Sequence, residues 1–393
     1  MNLKEEALKL HKLNHGKLAT KSKVKVATKE DLSLVYTPGV AEVCREIAAN
    51  PKSVYDYTMK ANAVAVVTDG SAVLGLGNIG AEASLPVMEG KCVLFKELAN
   101  IDAFPICIKT QNDREIISIV KNIAPAFGGI NLEDIAAPRC FKIEEELLNI
   151  GIPVMHDDQH GSAIVLLAAL MNAAKVVGKR IEDLKVVING AGAAGTAITK
   201  LLLCLGIDKS ICTSVREIVV CDSKGIIYDG RADLNEFKAQ LAKITNRTKR
   251  IGTLKDALMG ADAFIGVSTA NLLNADDLRK MSKDAIVFAM ANPVPEIMYD
   301  EAKKVATVVG TGRSDFPNQI NNSLAFPGVF RGALDAKATM INSEMKIAAA
   351  HALANCISPT KDNILPYTLD RQVVPKVAEA VKKAAIETKV VRD

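Results

Sequence analysis

Two adjacent aspartates, Asp157 and Asp158, lie in the segment HDDQHG, between an apolar run and an Ala-rich run. A histidine stands on each side of the pair, His156 and His160. Adjacent carboxylates repel each other and are costly to bury alone, so the pair must be held by a metal ion, a proton or water. Because carboxylate oxygens suit Mg²⁺ and Mn²⁺, a divalent metal site is the first candidate.

A second acidic pair, Glu133 and Asp134, lies in the segment GGINLEDIAAP. If both pairs follow strands of one α/β layer, their carboxylates converge at the crevice beside a neighbouring domain. Two alternatives stay open. One is a zinc site formed by His156 and His160, although no H-E-x-x-H motif is present, and Gly161 and the preceding strand argue against a continuous helix. The other is a solvated acidic loop with one helix cap.

Further side chains could take part in proton transfer or substrate binding. Lys91 follows Gly90 in the apolar segment VMEGKCVLF, where burial lowers the pKa of a lysine and makes it a candidate general base. Tyr36 precedes a Pro-Gly turn, where a tyrosine is more often a packing residue. Asn292 and Asn322 lie near small-residue turns, where an asparagine either caps backbone or binds a substrate carboxylate.

A G-x-G-x-x-G motif lies between the apolar run KVVIN and a helical pattern, and its glycines are Gly190, Gly192 and Gly195. This context is typical of a dinucleotide-binding turn, in which a pyrophosphate approaches the helix N-terminus closely. Asp222 ends the next apolar run, where a carboxylate binds a ribose 2′-hydroxyl and favours NAD. Nearby side chains leave NADP open, namely Ser223, Lys224 and Arg231.

Alternating strands and helices must position these residues. Apolar runs predict strands at 63–67, 104–108 and 152–155. Helical patterns lie at 79–98, 113–123 and 140–149. This alternation predicts an α/β fold, with an N-terminal catalytic and metal-binding domain, a doubly wound Rossmann-type domain, and a C-terminal helix that packs back on the first domain. We set the domains at 1–160, 161–355 and 356–393.

The composition excludes several classes of protein. The 393 residues are 49% hydrophobic with a net charge of +4, and they lack the basic run and stacking aromatics of nucleic-acid binding proteins. No apolar stretch reaches the ~18 residues of a membrane helix, and the charged start is no signal peptide. The eight cysteines form no C-x-x-C pair. We therefore expect reduced thiols in the cytoplasm, with no nucleic-acid or membrane partner.

Taken as an ordered set, the motifs resemble the malic enzyme family in its short bacterial form. They span residues 35–335 and include VYTPGVA, VVTDGSAVLGLGNIG, EGKCVLF, NLEDI, HDDQHGSA, GAGAAG, FAMANPVPE and INNSLAFPGVFRGALD. The resemblance implies oxidative decarboxylation of L-malate to pyruvate and CO₂, with reduction of NAD or NADP and a requirement for Mn²⁺ or Mg²⁺. It also implies a homodimer, in which the N-terminal helical segment is a candidate exchanged arm.

The resemblance further implies roles for individual residues. Tyr36 matches the general acid and Lys91 the general base, with Asp157 beside the lysine. The metal ligands match Glu133, Asp134 and Asp158. The expected dinucleotide contacts are Gly190, Gly192, Ala193, Ala194, Gly195, Asp222, Ser268 and Asn292. The expected substrate contacts are Asn292, Asn322, Gly77 and Asn78.

The sequence departs from the larger family members at two places. Ser71 and Ala72 replace a Glu-Arg pair whose arginine helps to bind malate, so asparagines, backbone near Gly77 and Asn78, or a partner subunit must hold the carboxylate. His160 takes the place of a glutamine.

Three other functions are weighed against this one. A malolactic-type enzyme would keep NAD bound and form lactate. A second alternative is another metal- and NAD-dependent decarboxylating 2-hydroxy-acid dehydrogenase. The third, a dinucleotide-binding protein without turnover, would need the glycine motif but not the lysine, tyrosine and carboxylates together.

Overall fold

The computed structural model describes residues 3–392 and begins with an N-terminal arm, residues 3–57. Its helices are α1 Leu3–Asn14, α2 Lys29–Val35, α3 Val40–Ala49 and α4 Val54–Tyr57. None of these helices buries a residue. Large apolar side chains along the arm are exposed instead, namely Leu3, Leu8, Leu10, Leu13, Leu32, Leu34 and Tyr57. An apolar surface of this extent is typical of a protein–protein contact.

A four-stranded parallel sheet follows the arm, in the order β2-β1-β3-β4. Its strands are β1 Ala63–Thr68, β2 Asp102–Cys107, β3 Gly129–Leu132 and β4 Val154–His156. The helices between them are α5 Gly80–Ala99, α6 Asp113–Ile123 and α7 Arg139–Leu147. The residues of β1, β3 and β4 are all buried, as expected for a parallel sheet covered on both faces. Strand β3 is missing from the predicted strands, because its four residues begin with Gly129, the second of two adjacent glycines, and such a segment is typical of a loop.

Helix α8, Asp157–Val176, leads from the first sheet to the second half of the chain. It begins at Asp157, directly after the strand that ends at His156, so the two histidines do not share a helix, as predicted. Gly161 nevertheless lies inside α8, and the prediction that this glycine argues against a continuous helix is wrong. A Cβ atom at position 161 would lie 1.8 Å from Oδ1 of Asp157. Glycine is therefore required because the Asp157 carboxylate folds back over the first turn of the helix.

The second sheet has six strands in the order β10-β9-β8-β5-β6-β7, all parallel except β7. They are β5 Lys185–Asn189, β6 Glu217–Asp222, β7 Gly225–Ile226, β8 Ala263–Gly266, β9 Ile286–Ala289 and β10 Val308–Thr311. The helices among them are α9 Ala193–Leu202, α10 Glu236–Ile244, α11 Leu254–Ala257, α12 Ala275–Leu278 and α13 Tyr299–Ala302. Strand β5 lies between β6 and β8, which is the arrangement of a doubly wound nucleotide-binding fold. The predicted α/β class is confirmed.

Three helices complete the chain, α14 Phe326–Asp335, α15 Ser343–Ala354 and α16 Val373–Glu387. Helix α16 contacts α14, α15 and also α5 beside the first sheet. Glycines on α14 allow the close approach of α16. A Cβ at Gly332 would lie 2.3 Å from the carbonyl oxygen of Ala378, and one at Gly328 would lie 2.7 Å from Cβ of Val377.

Cys204 and Cys212 form a disulfide that closes the loop between α9 and β6, with their Cα atoms 5.8 Å apart. The expectation that all thiols are reduced is therefore wrong for this pair. The disulfide could not be predicted from a C-x-x-C motif, because its two cysteines are 8 residues apart and meet only where the chain turns back after α9. Cys204 itself has a φ of 52° at this turn. The other six cysteines are free.

Gly332→Ala should lower the free energy of unfolding by about 1–3 kcal/mol, because the added methyl group forces α16 away from α14. Urea denaturation measures this change. Gly90→Ala is the matched control, since Gly90 also lies inside a helix but a Cβ there meets only Nζ of Lys17, at 3.2 Å. The control should be neutral or stabilising. Equal losses in both variants would contradict the packing explanation.

Candidate active site

The acidic residues lie at the carboxyl ends of two neighbouring strands. Glu133 and Asp134 follow β3, whereas Asp157 and Asp158 follow β4, which pairs in parallel with β3. Such strand ends meet at one edge of a sheet. As a result, one carboxylate oxygen from each of Glu133, Asp134 and Asp158 lies within 4.8 Å of the other two.

Lys91 lies among these carboxylates, carried there by α5. Its Nζ atom is 2.6 Å from Oδ2 of Asp157 and 2.9 Å from Oε1 of Glu133. The ring of Phe326, on α14, covers the ammonium group at 4.4 Å from Nζ to the ring centroid. Asn131 donates from Nδ2 to the other Glu133 oxygen, Oε2, at 2.8 Å. All of these groups are buried, which strengthens the ion pairs.

The charges of this cluster control the protonation of Lys91. Burial alone would lower its pKa, but Asp157 and Glu133 outweigh burial and raise it. The pKa of Lys91 is therefore raised, whereas burial in an apolar segment was expected to lower it. Burial raises the pKa of both Asp157 and Glu133 to about 7, against the attraction of Lys91. The carboxylates thus hold Lys91 in its protonated form.

The remaining carboxylates fit a divalent cation. Burial, together with Asp158 and Glu133, raises the pKa of Asp134 to about 9. Burial likewise raises the pKa of Asp158 to about 6. Oδ2 of Asp134 is buried and has no hydrogen-bond partner. A cluster of carboxylate oxygens with an unpaired acceptor is a donor set that Mg²⁺ or Mn²⁺ binds.

The two histidines of HDDQHG do not join this metal-ligating group, which among residues 3–392 consists of carboxylates alone. Nε2 of His160 lies 2.9 Å from Oε2 of Glu144, a buried carboxylate on α7. Oε1 of the same glutamate accepts the backbone N–H of His156 at 2.8 Å. Burial lowers the pKa of His156 to about 4, so its ring is neutral. Glu144 therefore fixes the start of α8, and the zinc alternative has no support.

Two cavities meet between the sheets. The first has a volume of about 410 Å³ and is lined by Lys91, the acidic cluster, Asn292 and Asn322. Its lining includes no arginine. The second has a volume of about 630 Å³ and is lined by the glycine turn and by Asp222. Ser268 lines both cavities, so the two cavities adjoin at this residue.

The glycine turn fits a dinucleotide. Gly190 has a φ of 120°, and a Cβ at Gly195 would lie 1.7 Å from the carbonyl oxygen of Gly190. A Cβ at Gly192 would meet no atom within 4 Å, so this side of the turn is open to a pyrophosphate. Ala193 and Ala194 begin α9. Ala194 lines the first cavity, whereas Ala193 packs against the core of the first sheet.

Among the predicted site residues, three are exposed and line neither cavity. Tyr36 lies on the arm, with 67% of its surface exposed. Gly77 and Asn78 are exposed, and Asn78 exchanges two side-chain hydrogen bonds with Gln111. Contact of the substrate with backbone near Gly77 and Asn78 stays a prediction, since neither residue lines the two cavities. The loop that contains them contributes Leu74 and Gly75 to the first cavity instead.

Some buried residues that support the site were not predicted from the sequence, and two of them are Glu296 and Phe326. Glu296 accepts backbone N–H groups of Ser268 and Ala291, at 2.9 and 3.1 Å, and so joins the loops after β8 and β9. A Cβ at Gly266 would lie 2.4 Å from its carboxyl carbon. The only sequence signal was an acid between apolar residues in PVPEIM. Phe326 gave no signal, since one aromatic in an apolar run reads as core.

Mn²⁺ should stabilise this protein more at about pH 8 than at about pH 6. The acidic cluster has raised pKa values in the folded protein, so the folded form binds more protons than the unfolded chain, and stability falls as the pH rises through this window. A cation replaces those protons. Thermal unfolding with and without MnCl₂ measures the effect, and Asp158→Asn should abolish most of it. A gain in Tm that is equal or larger at the lower pH would contradict this account.

Comparisons with known proteins agree with the site. Residues 15–117 match the family described as malic enzyme, N-terminal domain, and residues 159–386 match the malic enzyme, NAD binding domain. The bifunctional malic/malolactic enzyme of Bacillus subtilis is 58% identical, over 100% of this chain and 95% of that protein. The NAD-dependent malic enzyme of Geobacillus stearothermophilus is 54% identical, over 96% and 78%. The crystal structure of the NAD-dependent malic enzyme from Thermotoga maritima superposes with a TM-score of 0.92 at 49% identity, over 96% of this chain and 98% of that one. The chain belongs to the malic enzyme family.

Proposed function

We propose that this chain catalyses the divalent-metal-dependent oxidative decarboxylation of L-malate to pyruvate and CO₂, with reduction of NAD or NADP. The observation that carries the proposal is the position of Lys91. Its Nζ atom lies between Asp157 and Glu133, beside the carboxylate cluster and in a cavity that Ser268 connects to the dinucleotide cavity. The printed names of the bacterial relatives support the same reaction.

The roles of the acidic residues follow from their positions. Glu133, Asp134 and Asp158 would hold Mn²⁺ or Mg²⁺, which supplies Lewis-acid polarisation of the malate hydroxyl and of the ketone formed from it. Asp157 is not one of the three clustered carboxylates. Its Oδ2 instead accepts a hydrogen bond from Nζ of Lys91 at 2.6 Å. Asp157 therefore orients the lysine towards the substrate.

The proton transfers fall to Lys91 and Tyr36. Lys91 would first release its ammonium proton to solvent and could then accept the proton of the C2 hydroxyl, while a dinucleotide, when bound, would supply the hydride acceptor for C2. Loss of the C4 carboxylate as CO₂ then leaves enolpyruvate, whose C3 needs a proton. Tyr36 donates it. Asn292 and Asn322 line the cavity, and their side-chain amides would donate N–H groups to the substrate carboxylate.

Lys91→Ala should lower kcat for malate oxidation by about 10²–10⁴-fold, because it removes the general base. The dissociation constant for NAD should stay within about threefold of wild type, since the lysine does not line the dinucleotide cavity. Steady-state NADH formation and direct NAD titration measure the two effects. Lys96→Ala, on the exposed side of α5, is the control and should turn over normally. Near-normal turnover of Lys91→Ala would remove the lysine from this role.

The exposed position of Tyr36 leads to a proposal about assembly. We propose a homodimer in which the arm of each copy crosses to the other and brings Tyr36 of the partner subunit to the substrate cavity. The apolar side chains of α1 and α2, all exposed here, support such an exchange. So does the lining of the first cavity, which includes no tyrosine.

Mixing two inactive variants tests this assembly. Tyr36→Phe and Lys91→Ala homodimers should each be impaired. Random subunit exchange should then restore about a quarter of wild-type activity, because half of the dimers are hybrids with one intact site of two. If Tyr36 served its own subunit, every site would keep a lesion and the mixture would stay inactive. A monomer in light scattering would contradict the dimer itself.

Malolactic activity is a second candidate, favoured by the printed name of the Bacillus subtilis relative. The same cavities would serve it, with NADH retained and used to reduce pyruvate to lactate. Lactate and NADH are measured together after addition of L-malate and MnCl₂. NADH equal to pyruvate indicates the malic reaction alone, whereas lactate without free NADH indicates the malolactic one.

We also propose three domains and a cytoplasmic location for the protein. The boundaries 1–160, 161–355 and 356–393 are supported by the two sheets, whose strands fall within 63–156 and 185–311. No helix among residues 3–392 is both long and apolar enough to cross a bilayer. A cytoplasmic location is supported by the dinucleotide pool that the reaction uses. Thiol titration of the protein taken directly from cells tests whether the pair Cys204–Cys212 is oxidised there.

A further inference from the structure

A third cavity adjoins the dinucleotide cavity and is lined by helices that belong to both sheets. Its volume is about 850 Å³, and its walls come mainly from α7, α8, α9, α10 and α15. A cavity of this size suits a small organic ligand. Phe141 and Phe237 line it and the dinucleotide cavity alike, and their ring centroids are 4.8 Å apart. The third cavity is thus a separate space behind one aromatic pair.

Two lysines line the third cavity without a carboxylate partner. Lys346 lies near the start of α15 and Lys200 near the end of α9. Among residues 3–392, neither Nζ atom has a carboxylate oxygen within 4.0 Å. Burial lowers the pKa of Lys346 against the attraction of Glu144, and Lys200 lowers it further. The two ammonium groups therefore repel each other, and a bound anion would relieve this repulsion.

The carboxylate of Glu144, which attracts Lys346, is already occupied by donors from α8 and the residue before it. Its Oε2 accepts a hydrogen bond from Nε2 of Gln159 at 3.0 Å and lies 2.9 Å from Nε2 of His160. Its Oε1 accepts the backbone N–H of His156 at 2.8 Å. The hydrogen-bonding capacity of Glu144 is therefore used by these groups, and the Lys346 ammonium is left to a ligand.

The rest of the lining offers apolar surface and acceptors for hydroxyl groups. Phe141, Phe237 and Leu201 supply apolar surface. Carboxylates from α7 and α10 also line the cavity, namely Glu145, Glu146 and Glu236. Ionised carboxylates only accept hydrogen bonds, so they require donors such as hydroxyl groups. A ligand that satisfies the whole lining therefore has an anionic group at one end and hydroxyl groups on its body.

Phosphate is the anion that best matches the two lysines. A lysine ammonium binds phosphate as a point charge, whereas carboxylates are matched by the planar fork of arginine, and the lining in the described chain includes no arginine. Ser343, the first residue of α15, also lines the cavity. The positive end of the α15 dipole therefore adds to the attraction of the two lysines for a phosphate.

We propose that the third cavity binds a phosphorylated sugar or polyol, with its phosphate on Lys346 and Lys200 and its hydroxyl groups on the carboxylates of α7 and α10. Phe141 and Phe237 pack against the apolar face of this ligand. Neither lysine lines the metal-binding cavity or the dinucleotide cavity, so the site is distinct from both. The inference does not depend on the proposed function.

Calorimetric titration with glucose 6-phosphate tests the proposal, without malate or metal. Saturating NAD⁺ is present throughout, so that the dinucleotide cavity is filled and its glycine turn cannot bind the probe. Glucose and inorganic phosphate are titrated in the same way. Each should bind about tenfold more weakly than glucose 6-phosphate or worse, because each lacks one of the two groups that the cavity recognises.

Two variants assign the site. Lys346→Ala should raise the Kd for glucose 6-phosphate about tenfold or more, because it removes a charge-assisted contact to phosphate. Lys200→Ala should raise it about threefold or more, and because Lys200 is exposed this variant keeps the test available if Lys346→Ala unfolds. The Kd for NAD⁺ should change by less than about threefold in both. The control Lys243→Ala, an exposed lysine of α10 that lines none of the three cavities, should change neither constant.

Three results would overturn the proposal. They are the absence of saturable binding at saturating NAD⁺, binding of inorganic phosphate as tight as that of glucose 6-phosphate, and unchanged binding in both lysine variants. Malate turnover is measured separately. Intact binding of glucose 6-phosphate without malate turnover would overturn the proposed function and leave this inference standing.

Discussion

The ion pair between Lys91 and Asp157 holds together elements that are far apart in the chain. The lysine comes from α5, the aspartate from the first turn of α8, and Glu133 from the end of β3. Phe326 closes the remaining side from α14. Removal of one partner of a buried ion pair leaves an uncompensated charge and typically costs about 3–5 kcal/mol. The same charges that prepare the reaction therefore fix the relative position of four elements.

Two further buried carboxylates keep the surrounding backbone in place. Glu144 accepts the N–H group of His156 and so fixes the start of α8, beneath the paired aspartates. Glu296 accepts the N–H groups of Ser268 and Ala291 and fixes the loops after β8 and β9. Each carboxylate satisfies backbone donors that strand ends leave without partners. The first turn of α8 and the loops that carry Ser268 and Ala291 are thus held in place, which is what a preorganised site requires.

The features that the sequence predicted are those with local patterns. The glycine turn and the acids at strand ends can be read from short motifs, because parallel strands direct their carboxyl ends to one crevice. Three features were hidden because they depend on contacts between side chains or elements that no local motif specifies. The raised pKa of Lys91 depends on Asp157 and Glu133, and the need for Gly161 depends on the Asp157 carboxylate. The position of Tyr36 cannot be read from a motif, since it depends on packing of the arm.

The charges that line the two connected cavities differ in sign and so favour one orientation of a bound ligand. The first cavity gathers the carboxylates of Glu133, Asp134 and Asp158 around one lysine. The second has an excess of cations at its far end, around Asp222. An anionic phosphate is therefore attracted away from the acidic cluster, whereas a metal cation is attracted into it. We therefore expect a dinucleotide to bind with its phosphates on the glycine turn and its redox-active ring towards the first cavity.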